Sequence, residues 1–226
     1  MEPARVSAVL SDWKSAELSD RMRSALGLLE ALTLRPQEID AALLAKFESS
    51  GLSRGEMEEL AALAFHFNFI NRVADAVDFE MPDAKQTARQ AKLLNLMARL
   101  VTGGKRPSPP WRQGSDGVLR PAELNAAREE LFAHKGSLSA ELRRSVEGYA
   151  AAQWGAERPA CDLPVVLQSY VQPLSLHAYQ VHDRLVHELR DAGYSDQDLF
   201  ELTLLAAFGA ALAAQERLYA LLYGDD

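Results

Sequence analysis

The sequence predicts an all-α protein, and three observations lead to this fold class. Apolar residues recur at three- and four-residue steps over long stretches. Residue types that cap helices precede several of these stretches. Alternating β-branched runs, which are typical of strands, are almost absent. The one short strand candidate, residues 165–167, follows Pro164, which suits a helix start equally well.

The two longest helices are predicted over residues 196–222 and 54–77. Ser195 can cap the first, with Asp198 three residues later, and Ser53 and Glu56 repeat that spacing at the second. Gly224 follows the C-terminal helix, where a left-handed residue is common. The other predicted helices cover residues 4–15, 18–32, 37–49, 84–102, 121–134, 138–155 and 176–192.

Residues 103–117 interrupt the helical pattern with three prolines and four glycines. We therefore predict an N-terminal helical lobe over 1–102, a linker or long surface loop over 103–120 and a C-terminal helical lobe over 121–226. The same stretch places three cations beside Trp111, so a loop that binds an anionic ligand is the alternative interpretation. These cations are Lys105, Arg106 and Arg112.

Composition narrows the functional classes. The chain has 226 residues and a formal net charge of −8, which argues against sequence-independent nucleic-acid binding. No apolar run approaches the roughly 20 residues that span a bilayer, and no signal peptide is recognisable. Cys161 is the single cysteine, so neither an intrachain disulfide nor an all-cysteine zinc site can form. We expect a cytoplasmic protein that binds neither membrane nor nucleic acid.

Residues 33–64 resemble residues 175–206 at a constant offset of 142, with eight identities in 32 positions. The shared unit is a helix, a glycine turn and a capped helix. Gly51 and Gly193 can take the left-handed conformation that ends a helix. Glu59 and Glu201 are also matched. Two such copies predict two pseudo-repeated lobes packed helix on helix.

Motifs in both halves carry a family resemblance. Residues 67–76 read FNFINRVADA, preceded by Gly-Leu-Ser at 51–53 and Glu-Leu at 59–60. Leu-His-Ala-Tyr at 176–179 and Phe-Glu-Leu-Thr at 200–203 belong to the second half. This combination resembles the carboxymuconolactone decarboxylase / alkyl hydroperoxidase D-like (AhpD-like) superfamily. The resemblance implies an AhpD-like all-helical bundle that forms homo-oligomers and, in the peroxidase members, thiol chemistry.

The chain lacks the cysteine pair that this chemistry requires. In the peroxidases a glutamate is followed, about a dozen residues later, by CxxC and then by a histidine. Counted from Glu59, the cysteine positions hold Asn71 and Ala74, and the histidine position holds Asp78. Counted from Glu201, the three positions hold Ala213, Glu216 and Ala220. A dithiol peroxidase mechanism is therefore rejected, since a single thiol has no resolving partner in the chain.

The remaining candidate residues lie on the second predicted helix. Glu59 and His66 are the candidate catalytic residues, because a carboxylate beside an apolar face can act as an acid or base. Asn68, Asn71 and Arg72 are the candidate substrate-binding residues, since a guanidinium suits a carboxylate ligand. Structural roles for the same groups, in helix or subunit contacts, stay open.

No cofactor or metal site is predicted. His177, His182 and His187 are spaced by five residues, so they diverge around a helix and form no HExxH pair. The leading hypothesis is a non-redox ligand-binding or interaction protein that forms homo-oligomers and possesses an optional site for a small acidic ligand. The alternatives are a cofactor-free acid–base enzyme on an acidic or lactone-type substrate, and residual hydroperoxidase activity through Cys161.

Overall fold

A computed structural model describes residues 3–77, 121–133, 136–156 and 162–224. Within these ranges the chain is helical and contains no strand, which confirms the all-α prediction. The predicted helix over 84–102, the predicted linker over 103–120 and Cys161 lie outside the described residues. The division into two lobes stays a prediction.

The elements follow one another with short connections. The α-helices are α1 (Pro3–Asp12), α2 (Asp20–Leu34), α3 (Ala41–Ser49), α4 (Arg54–Ala76), α5 (Pro121–Ala133), α6 (Ala140–Ala152), α7 (Val165–His177), α8 (Asp183–Asp191) and α9 (Asp196–Tyr223). Two single 3-10 turns, Pro36–Glu38 and Ala178–Gln180, precede α3 and α8.

The two predicted capping boxes are confirmed. At α4 the Ser53 hydroxyl accepts the backbone N–H of Glu56, whose carboxylate accepts the Ser53 N–H. Ser195 and Asp198 make the same reciprocal pair at α9. The prediction of a left-handed Gly224 is wrong, because its φ is −75° and α9 ends in right-handed backbone.

Two predicted helices are broken and one helix was not predicted. The stretches 37–49 and 176–192 each begin with a 3-10 turn, followed by an extended residue and then a separately capped helix. Helix α7 forms where the sequence left strand and helix open. It tolerates the internal Pro173 because its apolar face is buried, with Leu167, Val171 and Leu174 fully shielded from solvent.

The backbone of residues 35–54 closely matches that of 177–196. Both 3-10 turns, both following helices and both capping boxes occur at the same offset of 142 residues. The residues that begin each turn, Arg35 and His177, have φ values of −149° and −147°. Gly51 and Gly193 have positive φ values of 93° and 94°, as predicted for glycine turns.

Helix α9 is the central element of the core. Its C-terminal part packs with α2, α3 and α4 in one apolar cluster, and its N-terminal part packs with α6 and α7 in another. By length and composition α9 could also cross a membrane, but 67% of its most apolar window is buried within the protein. Its apolar sequence is therefore accounted for by its position between α4 and α6.

Small residues let α6 approach α9 closely. Gly209 lies against the backbone of Glu147, and a Cβ atom at position 209 would overlap the carbonyl oxygen of that residue. The surrounding Ala206, Ala207 and Ala210 are also buried. This confirms the expectation that the small-residue face of α9 is a packing surface.

We expect Gly209→Ala to lower the free energy of unfolding by about 1–3 kcal/mol, because the methyl group forces α6 away from α9. Gly55→Ala is the matched control. It also lies in a helix, and its added Cβ would meet no atom within 4 Å. It should be neutral or stabilising by up to about 1 kcal/mol. Urea unfolding of both variants measures the difference, and equal midpoints would contradict the proposed close packing.

Candidate functional site

The candidate residues occupy two different faces of α4. Asn68 is buried and Arg72 is half-buried, whereas Glu59, His66 and Asn71 are exposed. The structure therefore divides the predicted set between the interior and the surface. Two aromatic contacts lie on the inner side, where Phe65 stacks on Phe69 at 6.4 Å and meets Phe208 edge-on at 5.6 Å.

Arg72 joins α4 to α7. Its Nε donates to the carbonyl oxygen of Ser175 at 3.0 Å, and its Nη1 donates to the carbonyl oxygen of Asn68 at 2.9 Å. The Ser175 carbonyl lies in the last turn of α7 and has no partner within the helix. The indole Nε1 of Trp154 donates to the same oxygen at 2.9 Å, and the guanidinium lies 5.2 Å from the indole ring centroid.

Burial lowers the pKa of Arg72 to about 10, and the nearby Asp75 carboxylate opposes this shift. The side chain therefore stays cationic at neutral pH. A cation at the C-terminal end of α7 is favoured by the helix dipole. The guanidinium is thus engaged by backbone carbonyls rather than presented to an incoming carboxylate.

Asn68 and His66 are also engaged with backbone carbonyls. The Asn68 amide donates to the carbonyl oxygen of Leu32 at 3.5 Å, which links α4 to α2. The His66 Nδ1 lies 2.6 Å from the carbonyl oxygen of Ala62, one turn earlier in α4, and the ring packs edge-on against Phe65.

Glu59 is exposed near the start of α4, and among the described residues it makes no hydrogen bond or ion pair. The next exposed side chains along this face are apolar. Leu63, Phe67 and Ile70 are 44%, 59% and 56% exposed. We call these three residues the α4 ridge. Their spacing of four and three residues places them on one side of the helix.

Glu201, the counterpart of Glu59, has a different environment. Its carboxylate accepts the backbone N–H groups of Ser137 at 3.1 Å and Leu138 at 3.0 Å. It also lies 3.5 Å from Nε of Arg143, whose side chain is 5% exposed. Gly136 permits this arrangement, because a Cβ atom there would overlap the carboxylate. Glu201 thus fixes the turn before α6.

The sequence analysis did not identify Arg143 or Gly136 as partners of Glu201. The available signals were a Gly-Ser pair at 136–137 before the capping residue Ser139, and paired arginines at 143–144. Neither signal specifies a contact with a residue more than 50 positions away. Only the packing of α6 on α9 brings these groups together.

Two clefts lie away from the predicted site. One has a volume of about 220 Å³ and is lined by Leu131, Phe200 and Leu204, with Arg143 and Glu201 at its polar side. The other is a wide groove of about 580 Å³ between α2 and α3. None of the five candidate residues on α4 lines either cleft.

The candidate residues and clefts suggest no metal centre in the part of the chain that the structure describes, where no group of three or more His, Cys, Asp or Glu side chains could hold a metal ion. Comparison of the chain with models of protein families gave no match. Comparisons with curated proteins and with solved structures also gave no match. The AhpD-like resemblance stays a prediction.

Arg72 and Trp154 should show coupled effects on stability. Either Arg72→Met or Trp154→Phe leaves the buried Ser175 carbonyl with one donor, at a cost of about 1–3 kcal/mol in unfolding free energy. The double variant leaves it with neither donor. It should therefore cost more than the sum of the single changes in a double-mutant cycle. The exposed Asn71→Ala is the control and should change stability by less than about 0.5 kcal/mol.

Asp198 should make stability depend on acid pH. Hydrogen bonds from the side chain of Ser137 and from Ser195 lower the pKa of Asp198 below its ordinary value. A lowered folded-state pKa adds stability that is present above about pH 4 and is lost as the pH falls through the folded pKa. Asp198→Asn should cost about 1 kcal/mol at pH 7, and this difference should shrink below pH 4.

Urea unfolding from pH 7 to pH 3 measures this dependence. Asp191→Asn is the matched control, because Asp191 is exposed at the end of α8 and caps no helix. It should change the unfolding free energy by less than about 0.5 kcal/mol across the range. A constant difference between wild type and Asp198→Asn down to pH 3 would rule out the proposed role of this carboxylate.

Proposed function

We propose that this protein is a cysteine-pair-free, AhpD-like member of the carboxymuconolactone decarboxylase / alkyl hydroperoxidase D-like superfamily with a non-redox interaction role. The observation that carries this proposal is the division of the candidate residues on α4. Asn68 and Arg72 bind backbone carbonyls of other helices. Glu59 and the α4 ridge face outward. Such an arrangement suits a structural frame with a contact surface better than an acid–base centre.

The matched backbone at 35–54 and 177–196 supports a two-lobe pseudo-repeat within this proposal. The two capped helices that follow, α4 and α9, differ in their environment. Helix α9 is enclosed by neighbouring helices, whereas α4 keeps an exposed apolar side. In this view the two halves began alike and one of them kept a surface for association.

A cofactor-free enzyme is the competing function. It requires Glu59 to act as the base and His66 or Arg72 to orient a small acidic or lactone-type substrate. The test is turnover of a carboxylated γ-lactone by wild type, Glu59→Gln and the neighbouring Glu58→Gln. We expect no turnover by any of the three. Turnover that is lost in Glu59→Gln and kept in Glu58→Gln would replace the interaction role with an acid–base function.

Residual hydroperoxidase activity is tested through Cys161. We expect the wild type not to accelerate the consumption of tert-butyl hydroperoxide by dithiothreitol, because one thiol cannot complete the intramolecular disulfide cycle. Peroxide consumption by wild type that disappears in Cys161→Ser would contradict the proposed non-redox role.

The proposal includes a cytoplasmic homo-oligomer. Light scattering coupled to size exclusion should then give a mass that is a multiple of the 24.9 kDa chain. A mass of one chain at every concentration tested would remove the homo-oligomer from the proposal and leave the interaction role to other partners.

A further inference from the structure

The α4 ridge is an apolar surface with a counterpart elsewhere in the same chain. Adding 142 to its positions gives Leu205, Gly209 and Leu212 on α9. All three counterparts are buried, and Leu205 and Leu212 are each 1% exposed. The same face of two similarly capped helices is thus covered on α9 and exposed on α4.

Helix α6 contributes to the cover on α9. Its backbone at Glu147 lies directly against Gly209. At the N-terminal side of this contact, Arg143 of α6 pairs with Glu201 of α9 at 3.5 Å. The cover therefore combines a small apolar surface with a cation that faces the glutamate, and Glu201 is the counterpart of Glu59.

The charges on α4 favour a cover of the same kind. Between residues 55 and 77 the helix carries Glu56, Glu58, Glu59 and Asp75, and its single Lys or Arg is Arg72. Arg72 is turned toward α7 and Trp154. Two α4 helices brought face to face would oppose carboxylates with carboxylates, which is unfavourable. A cationic partner would instead be attracted.

We propose that the α4 ridge binds an amphipathic helix of a partner protein, with an apolar face against Phe67 and a Lys or Arg side chain opposite Glu59. This inference rests on the proposed interaction role and adds the chemistry of the partner. Helix-in-groove recognition of this type uses apolar anchors at helical spacing together with charged flanks. Phe67 is the central anchor, because aromatic residues at the centre of an interface carry much of the binding energy.

The test uses a synthetic amphipathic peptide of about 18 residues, or five helical turns, with leucine and alanine on one face and lysine and arginine on the other. A matched peptide carries glutamate in place of every cation. Fluorescence anisotropy with the full-length protein measures binding. The cationic peptide should bind, and the acidic peptide should not.

Two variants locate the site. Phe67→Asp and Glu59→Lys should each weaken binding by about 10-fold or more. Both residues are exposed, and circular dichroism checks that each variant is folded. Phe200→Asp and Glu17→Lys are the controls, because they make the same changes of side chain at exposed positions outside α4. Both controls should bind the cationic peptide nearly as well as the wild type.

Three results would overturn the proposal. The first is equal weakening by all four variants, which indicates attraction to the net negative charge alone. The second is binding that Phe67→Asp and Glu59→Lys leave unchanged. The third is failure of the cationic peptide to bind while Phe67→Asp reduces the mass in solution, which assigns the α4 ridge to a second copy of this chain. Lactone turnover reports separately on the proposed function.

Discussion

The burial of α9 between α4 and α6 is the constraint on which the rest of the structure depends. A helix of 28 residues that is enclosed on several sides must be apolar along most of its length. It must also be narrow where another backbone crosses it, which explains the glycine at 209 and the alanines around it. The hydrophobic contacts that α9 makes with both clusters then fix where α4 and α6 lie.

The local features of the fold were predictable from the sequence because they depend on neighbours in the chain. The Ser53–Glu56 and Ser195–Asp198 boxes are set by residues three positions apart. The positive φ of Gly51 and Gly193 follows from the turn that each helix end requires. The 3-10 turns escaped prediction because their apolar spacing continues into the next helix. Helix α7 escaped because only tertiary burial offsets the missing N–H of Pro173.

The candidate site was less predictable, since side-chain roles depend on distant partners. The type of residue at position 72 indicated a carboxylate ligand, but its partner is the carbonyl oxygen of a residue 103 positions later. The matched pair Glu59 and Glu201 suggested one shared role. The structure gives one of them a turn and an arginine, and leaves the other at the surface. Equivalent sequence positions thus carry different chemistry when their surroundings differ.

The composition of the first apolar cluster has a consequence for the order in which the protein can mature on the ribosome. That cluster joins α2, α3 and α4 to Leu212, Leu218 and Leu222. Translation delivers these leucines last, so the early helices emerge with an open hydrophobic side throughout most of elongation. Arg217 donates to the Ile39 carbonyl at 3.0 Å and fastens the late segment to the early one. Nascent chains stalled before α9 would therefore be targets for chaperones.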